Sequence, residues 1–510
     1  MSDRESDKDQ SETTGMTSDD EDDETMVTES DLPTLDNLKE PGITEPPVPE
    51  GEEEQQENTM NEEVMDKEHG SVLLSILSQV RFGMDLSKVT LPVFILEPRS
   101  FLELLTDFQA HSQLITAIPL YEDPLTRFLA VCKWYVSGYH LKTQGVKKPY
   151  NPILGETFMC SYDHGEHGVQ YFLAEQVSHH PPEGAFYCHN MERQWVVTGE
   201  LRPRSKFMAN TVASIMEGKA QGWFLEHDGE HFVANYPSVY ARGILFGSLV
   251  MELGGKIEVS CAKHRLAFRL EFKTKGYFRG KYNVISGKII RLPEPKNKKK
   301  QKRVKSKNAE LLYTISGSWD SNVYITDVAT KTELTLFDPI RTPVHNFYLR
   351  EEQQMEPQES RRLWRKVTNA LWNKDTTTAT EEKRKLEDSQ RARAKEMKKN
   401  KETYQPKYFM RDPEDKDTWI YRDLQKTVFT DEQKRTWLPW YVQPPTHPFA
   451  GDIPEEFSSR AVGVLNTPET VYPGYVPEEP EAEADGDEDE KKEEEEEKEG
   501  DDDEEFQEAQ

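Results

Sequence analysis

The chain has 510 residues, a formal net charge of −30 and only four cysteines, Cys132, Cys160, Cys188 and Cys261, which excludes a disulfide framework and suggests a reducing, cytoplasmic setting. Most of the charge sits at the ends: residues 1–60 and 478–510 each hold 21 acidic against 3 basic residues, so the two tails contribute about −36 and the middle is mildly basic, near +6. No apolar run approaches the roughly 20 residues of a membrane span, and the acidic N-terminus has no apolar signal core, so membrane contact is expected to be peripheral.

Residues 1–66 read as a disordered acidic tail, because like-charge blocks poor in aromatics bury too little apolar surface to offset chain entropy. Val72, Leu73, Ile76, Leu77 and Val80 then recur at helical spacing, Gly83 ends the pattern, and an extended apolar run follows from Val89 to Leu96. Such a helix is either ordinary packing or a mobile cover for an apolar cavity. Phe101–Phe108 and Pro124–Tyr139 read as core helices. From about residue 156 to 345 the texture changes to short alternating strands punctuated by Gly, Asp-Gly and Pro, which predicts one large antiparallel sheet or barrel.

Within this region a strand-like run from Val169 to Ala174 leads into E-Q-V-S-H-H-P-P, Glu175 to Pro182. Adjacent residues of an extended chain face opposite ways, so His179 and His180 meet one ligand only if the backbone turns there, and Pro181 restricts His180. The residues alone leave open a stiff structural turn, an anion site or a metal site. The last lacks further ligands at workable spacing, there being no C-x-x-C and no H-E-x-x-H.

The run Lys296–Lys307 carries eight basic residues in twelve, centred on Lys298, Lys299, Lys300, Lys302 and Arg303. It reads as a solvated loop, a nuclear-import-like patch or a landing site for anionic lipid headgroups. The aromatic platforms of a nucleic-acid binder are missing beside it, so no nucleic-acid partner is assigned. From Met355 to Asn400 the chain turns helical, and Lys383, Glu387 and Arg391 fall at i, i+4 and i+8 on one stripe. Residues 446–510 read as a proline-containing and then acidic disordered tail.

E-Q-V-S-H-H-P-P resembles the signature of the oxysterol-binding-protein-related family of lipid-transfer proteins. Other stretches match in the same order: L-P-V-F-I-L-E-P-R-S (Leu91–Ser100), K-K-P-Y-N-P-I-L-G-E (Lys147–Glu156), Y-A-R-G-I-L-F-G (Tyr240–Gly247) and G-S-W-D (Gly317–Asp320). The resemblance implies a mainly β fold with helices (α+β) over residues 67–445. A large antiparallel barrel would enclose a lipid tunnel, with a helical lid at about 70–96 and a C-terminal helical part at about 355–445. It further implies that Lys148, Asn151, His179, His180, Lys383, Glu387 and Arg391 form a site for the headgroup of phosphatidylinositol 4-phosphate.

The wording looks closest to the phosphatidylserine-transporting branch, in which the position of Leu91 lies in the lid and supports extraction of the second lipid; sterol is the alternative second lipid. A lipid sensor or scaffold that binds without transporting is a third reading. No cofactor or metal is implied. No pleckstrin-homology domain is expected. The acidic end around Phe506 resembles a shortened endoplasmic-reticulum receptor motif, which would imply contact sites with that membrane. No G-x-S-x-G, P-loop or Cys–His pairing suggests catalysis, so no catalytic residue is assigned, and the chain is not expected to be an enzyme.

Overall fold

The computed structural model describes residues 92–141, 147–208, 210–244, 250–276, 280–294, 309–413 and 415–422. Leu91, most of the expected lid, the basic run with Lys298, Lys299, Lys300, Lys302 and Arg303, both acidic tails and Phe506 lie outside the described residues.

The described chain enters through a 3-10 turn at Val93–Ile95 and strand β1 (Leu96–Ser100). Ser100 caps helix α1 (Phe101–Leu104) by accepting from the Leu102 N–H, and the chain then tightens into a 3-10 turn over Leu105–Gln109. The expected helix from Phe101 to Phe108 is thus two shorter pieces. After α2 (Ser112–Ala117) comes α3 (Pro124–Ser137), started by the Asp123 carboxylate on the Thr126 N–H with Pro124 at its first turn. Strand β2 (Lys148–Tyr150) pairs in parallel with β1, which lays two of the matched sequence stretches side by side.

The sheet follows: β3 (Thr157–Asp163), β4 (Val169–His179), β5 (Pro182–Asn190), β6 (Trp195–Met208), β7 (Thr211–Phe224), β8 (Glu230–Ala234), β9 (Ser238–Arg242), β10 (Val250–Cys261), β11 (Leu266–Lys273), β12 (Val284–Arg291), β13 (Glu310–Ser318), β14 (Val323–Asp327) and β15 (Glu333–Phe337). These 13 strands form one antiparallel sheet in nearly sequential order. Strand β9 lies off this order and pairs with both β7 and β10. This is the large antiparallel sheet expected from the punctuated alternation. The outer edge of β3 is covered by the chain after β15, with Ser161 and Tyr348 exchanging backbone hydrogen bonds at 3.0 and 2.7 Å and Thr157 N–H donating to the Gln358 carbonyl.

Helix α3 supplies the filling. Phe128, Val131, Trp134 and Tyr135 join Phe172, Phe268, Ile289, Ile315 and Val323 in one buried cluster, so the helix packs against one face of the sheet. Strands β3–β6 are buried on both faces, because Leu173, Val177 and Tyr187 turn outward against Tyr408 and the small hairpin β16 (Phe409–Arg411) and β17 (Trp419–Tyr421). This hairpin corrects the expected helical part at about 355–445: among the described residues the helices end at Asn400, and the chain beyond pairs as strands because its apolar face covers the sheet. The G-S-W-D stretch closes the β12–β13 end, where Ser318 and Asn283 both donate to the Asp320 carboxylate. The C-terminal helices are α4 (Ser360–Trp372) and α5 (Thr376–Asn400). Among the described residues no helix is long and apolar enough to cross a membrane.

Candidate anion-binding site

Strand β4 runs straight through the twin-histidine stretch to His179 and turns back at once, with His179 registered opposite Pro182 and a cis bond between His180 and Pro181. The turn is shaped by its own polar residues. Ser178 Oγ donates to the Pro181 carbonyl at 2.7 Å, and Gln176 Nε2 to the Ser178 carbonyl at 2.9 Å. The two imidazoles end 4.6 Å apart, edge to face.

The loop from Lys148 to Glu156 is held against this turn by a buried carboxylate. Glu156 has no exposed surface and accepts from Ser100 Oγ, Ser360 Oγ (2.7 Å), Trp364 Nε1 (2.9 Å) and the Ile153 N–H (3.0 Å). Burial raises its pKa above the usual carboxyl value, and the four donors oppose that shift. Tyr150 stacks on Trp364 at 4.6 Å and shares a 2.9 Å hydrogen bond with Thr368. Gly155 takes φ +82°, and a Cβ there would lie 2.8 Å from the Tyr404 hydroxyl, so glycine is the residue that lets the loop pass. A second buried carboxylate, Glu175, secures the other side by accepting from Tyr404 Oη (2.7 Å) and the N–H groups of Lys407 (2.7 Å) and Tyr408 (2.8 Å).

Helix α5 closes the site. Its Lys383 ammonium pairs with Glu387 at 2.6 Å, and Arg391 bonds Glu387 (3.3 Å) and Asp388 (2.6 Å). The expected stripe is therefore one hydrogen-bonded row. Gln390, which sequence reasoning missed, joins the three segments: its Oε1 accepts from the Leu154 N–H at 2.9 Å and its Nε2 donates to His179 Nε2. The available signal was its place three residues beyond Glu387, on the same helix side.

The electrostatics show how close these groups stand. His179 is pushed down to about 4, first by burial and then by the neighbouring His180, with the Pro152 carbonyl and Glu387 pulling the other way. Lys148 is solvent-exposed, yet its pKa is also lowered, by the protein crowding around it and by the Lys383 cation, against the attraction of Glu387. Asn151 lies exposed on the same loop. The structure thus gathers Lys148, His179, His180, Lys383, Glu387 and Arg391 around one mouth, with Asn151 on its rim loop. Cations and N–H donors from three segments suit a multiply charged anion.

The chain matches the family model "Oxysterol-binding protein" over residues 73–432. It is 41% identical over 358 residues to an oxysterol-binding protein homolog of Schizosaccharomyces pombe, covering 68% of this chain and 72% of that one. Against human oxysterol-binding protein-related protein 8 it is 40% identical over 357 residues, which is 69% of this chain but only 38% of the relative's length. Among solved structures it resembles the Osh3 ORD in complex with PI(4)P from Saccharomyces cerevisiae (TM-score 0.53, 25% identity, 71% of this chain and 92% of that one). It also resembles the Osh1 ORD domain in complex with cholesterol (TM-score 0.56, 22% identity, 68% and 86%). With its sheet, its twin-histidine turn and a family match over most of its length, the chain belongs to the oxysterol-binding protein family.

Proposed function

We propose that this protein extracts phosphatidylinositol 4-phosphate through the site at the β4–β5 turn and exchanges it against phosphatidylserine between membranes. The observation that carries the reading is the convergence of Lys148, His179, His180, Lys383 and Arg391 from three separate segments on one mouth. Glu387 holds Lys383 and Arg391 in place, and Gln390 donates to His179 Nε2. A phosphorylated headgroup brings enough acceptor oxygens to take over Lys383 and Arg391 from Glu387, while Asn151 and Glu387 serve the neutral inositol hydroxyls. The acyl chains, at about 0.8 kcal/mol per buried methylene, require an apolar tunnel during transfer, and no covalent step is involved.

The wording of Leu91–Ser100 supports phosphatidylserine as the exchanged lipid, with residues of about 70–96 acting as the lid. Sterol is the second reading, favoured by the likeness to the cholesterol-bound Osh1 domain. The basic run around Lys298–Arg303 would touch anionic membranes, and the segment around Phe506 is proposed as a receptor contact at the endoplasmic reticulum. We place the working domain at residues 67–445, between two acidic tails.

The test is mass spectrometry of lipids captured from liposomes holding phosphatidylserine, sterol and phosphatidylinositol 4-phosphate in known proportions. Enrichment of the serine lipid and the phosphoinositide is expected; sterol in place of the serine lipid would select the second reading, and no stoichiometric lipid would end both. Leu91→Asp should depress capture of the second lipid by about tenfold while sparing the phosphoinositide, because it sets a charge against acyl chains. Unchanged capture would remove Leu91 from the lid.

A further inference from the structure

At the end of the sheet opposite the twin-histidine turn, the β3–β4 connection carries His164 and His167. Strand β4 is 11 residues long, which sets the two ends about 35 Å apart at the usual rise of a strand. Here the β3–β4 connection, helix α2 and the segment at His345 border a half-open cavity of about 220 Å³. His164 and His345 line it with ring centroids 4.5 Å apart, together with Asp163, Gln113 and Thr116, and Ala117 and Leu120 supply an apolar wall.

The hydrogen bonds determine what these groups offer. His345 Nε2 lies 2.8 Å from the Asp163 carbonyl, which only accepts, so that nitrogen carries the proton and Nδ1 keeps its lone pair. His164 Nε2 donates likewise to Gln170 Oε1 at 3.4 Å, because the Gln170 amide nitrogen is already engaged with Gln109. Gln113 spends its donor on the Pro343 carbonyl at 2.8 Å, and its Oε1 has no partner. Thr116 is 2% exposed and its hydroxyl has no partner. His167 runs the other way, accepting from Arg193 at Nδ1 and facing Glu166 through Nε2. Apart from it and the Thr116 hydroxyl, which can donate or accept, the polar groups in this mostly apolar lining are acceptors: two imidazole lone pairs, an amide oxygen and a carboxylate.

We propose that this cavity is a second ligand site, independent of the lipid headgroup site, that takes a small organic cation bearing an ammonium or guanidinium group on a short apolar body. An acceptor-lined pocket is satisfied by a multiple donor, and a positive charge complements Asp163. The imidazoles stay neutral to receive it, since burial first and then their mutual repulsion hold His164 down at about 3, and burial lowers His345. A metal ion is the poorer fit. Among the described residues no third ligand converges on the histidine pair, and the trio that does converge, Glu230, Cys261 and His264, has its carboxylate held by Arg127 at 2.5 Å.

The experiment titrates the full chain, labelled with ¹⁵N-histidine, with agmatine and n-butylamine, using n-butanol as the neutral control and Zn²⁺ as the metal arm. Resonances are assigned through His164→Gln and His345→Gln. Saturable shifts at His164 and His345 with both amines and none with butanol are expected, weakened about tenfold in Asp163→Asn, which keeps an acceptor for the Gly165 N–H and loses the charge. Gln113→Leu provides a second variant that should weaken binding if the first fails to fold. An equal response to butanol, identical binding by folded variants, or saturation by Zn²⁺ alone would overturn the proposal. Lipid capture measured beside it reports on the headgroup site separately.

Discussion

The frame of the mouth at the β4–β5 turn and the groups that face into it obey different physics. The frame rests on Glu156 and Glu175, buried carboxylates whose oxygens collect donors from distant parts of the chain. The facing cations of helix α5 are more exposed and pair with near neighbours: the Lys383 side chain is 15% exposed and Arg391 61%, and both lean on Glu387 within the same helix. A bond to a buried carboxylate is costly to lose because the abandoned donors stay dry. A surface pair between helical neighbours contributes little and is readily exchanged for a ligand. The difference teaches which residues build the mouth and which await the anion.

The largest effect that would break this contrast is Glu156→Ala, which strands the buried donors of Ser100, Ser360 and Trp364. It should cost about 3 kcal/mol or more, lowering the melting temperature and every lipid activity together. Next comes His179→Ala with His180→Ala, expected to depress phosphoinositide capture by at least about tenfold while second-lipid capture and thermal unfolding stay close to wild type. Equal loss of both lipids, or a large fall in melting temperature, would move the histidines into the frame. Smallest is Gln390→Leu, which retains bulk and deletes the bonds to Leu154 and His179, about 1–2 kcal/mol of positioning. Phosphoinositide capture should fall several-fold, measured by the same liposome assay. If it rises instead, Gln390 competes with the ligand and does not prepare the site for it.

Much of this arrangement was legible because the mouth is written in short contiguous stretches. E-Q-V-S-H-H-P-P holds both the frame carboxylate Glu175 and the facing histidines, and the Lys383, Glu387, Arg391 stripe follows from helical periodicity alone. The large sheet was legible from strands punctuated by turn residues. What escaped depended on tertiary partners. Gln390 is one polar residue in a helix of charges, and only the docked loop at Leu154 gives it a task. The split of the helix after Leu104 leaves α-type spacing in the sequence while the backbone tightens. Strands of three residues, such as β16 and β17, are too short for alternation to register, and they form because Arg411 lies 3.9 Å over Trp419 and their apolar face covers the sheet.

The covering of β3 by the chain near Tyr348 has a consequence for how the molecule is made. Those partners are separated by roughly 190 residues, and Thr157 waits as long for Gln358. At about 5–20 residues per second of synthesis, the first strand of the sheet leaves the ribosome some 10–40 seconds before the segment that protects its edge. Such distant pairings also make closure slow, because the loop must be ordered before the contact rewards it. Throughout that interval β3 is an unsatisfied edge of mostly buried-type residues, Phe158, Met159 and Cys160 among them. Newborn chains are accordingly expected to need a chaperone until residues 345–360 emerge.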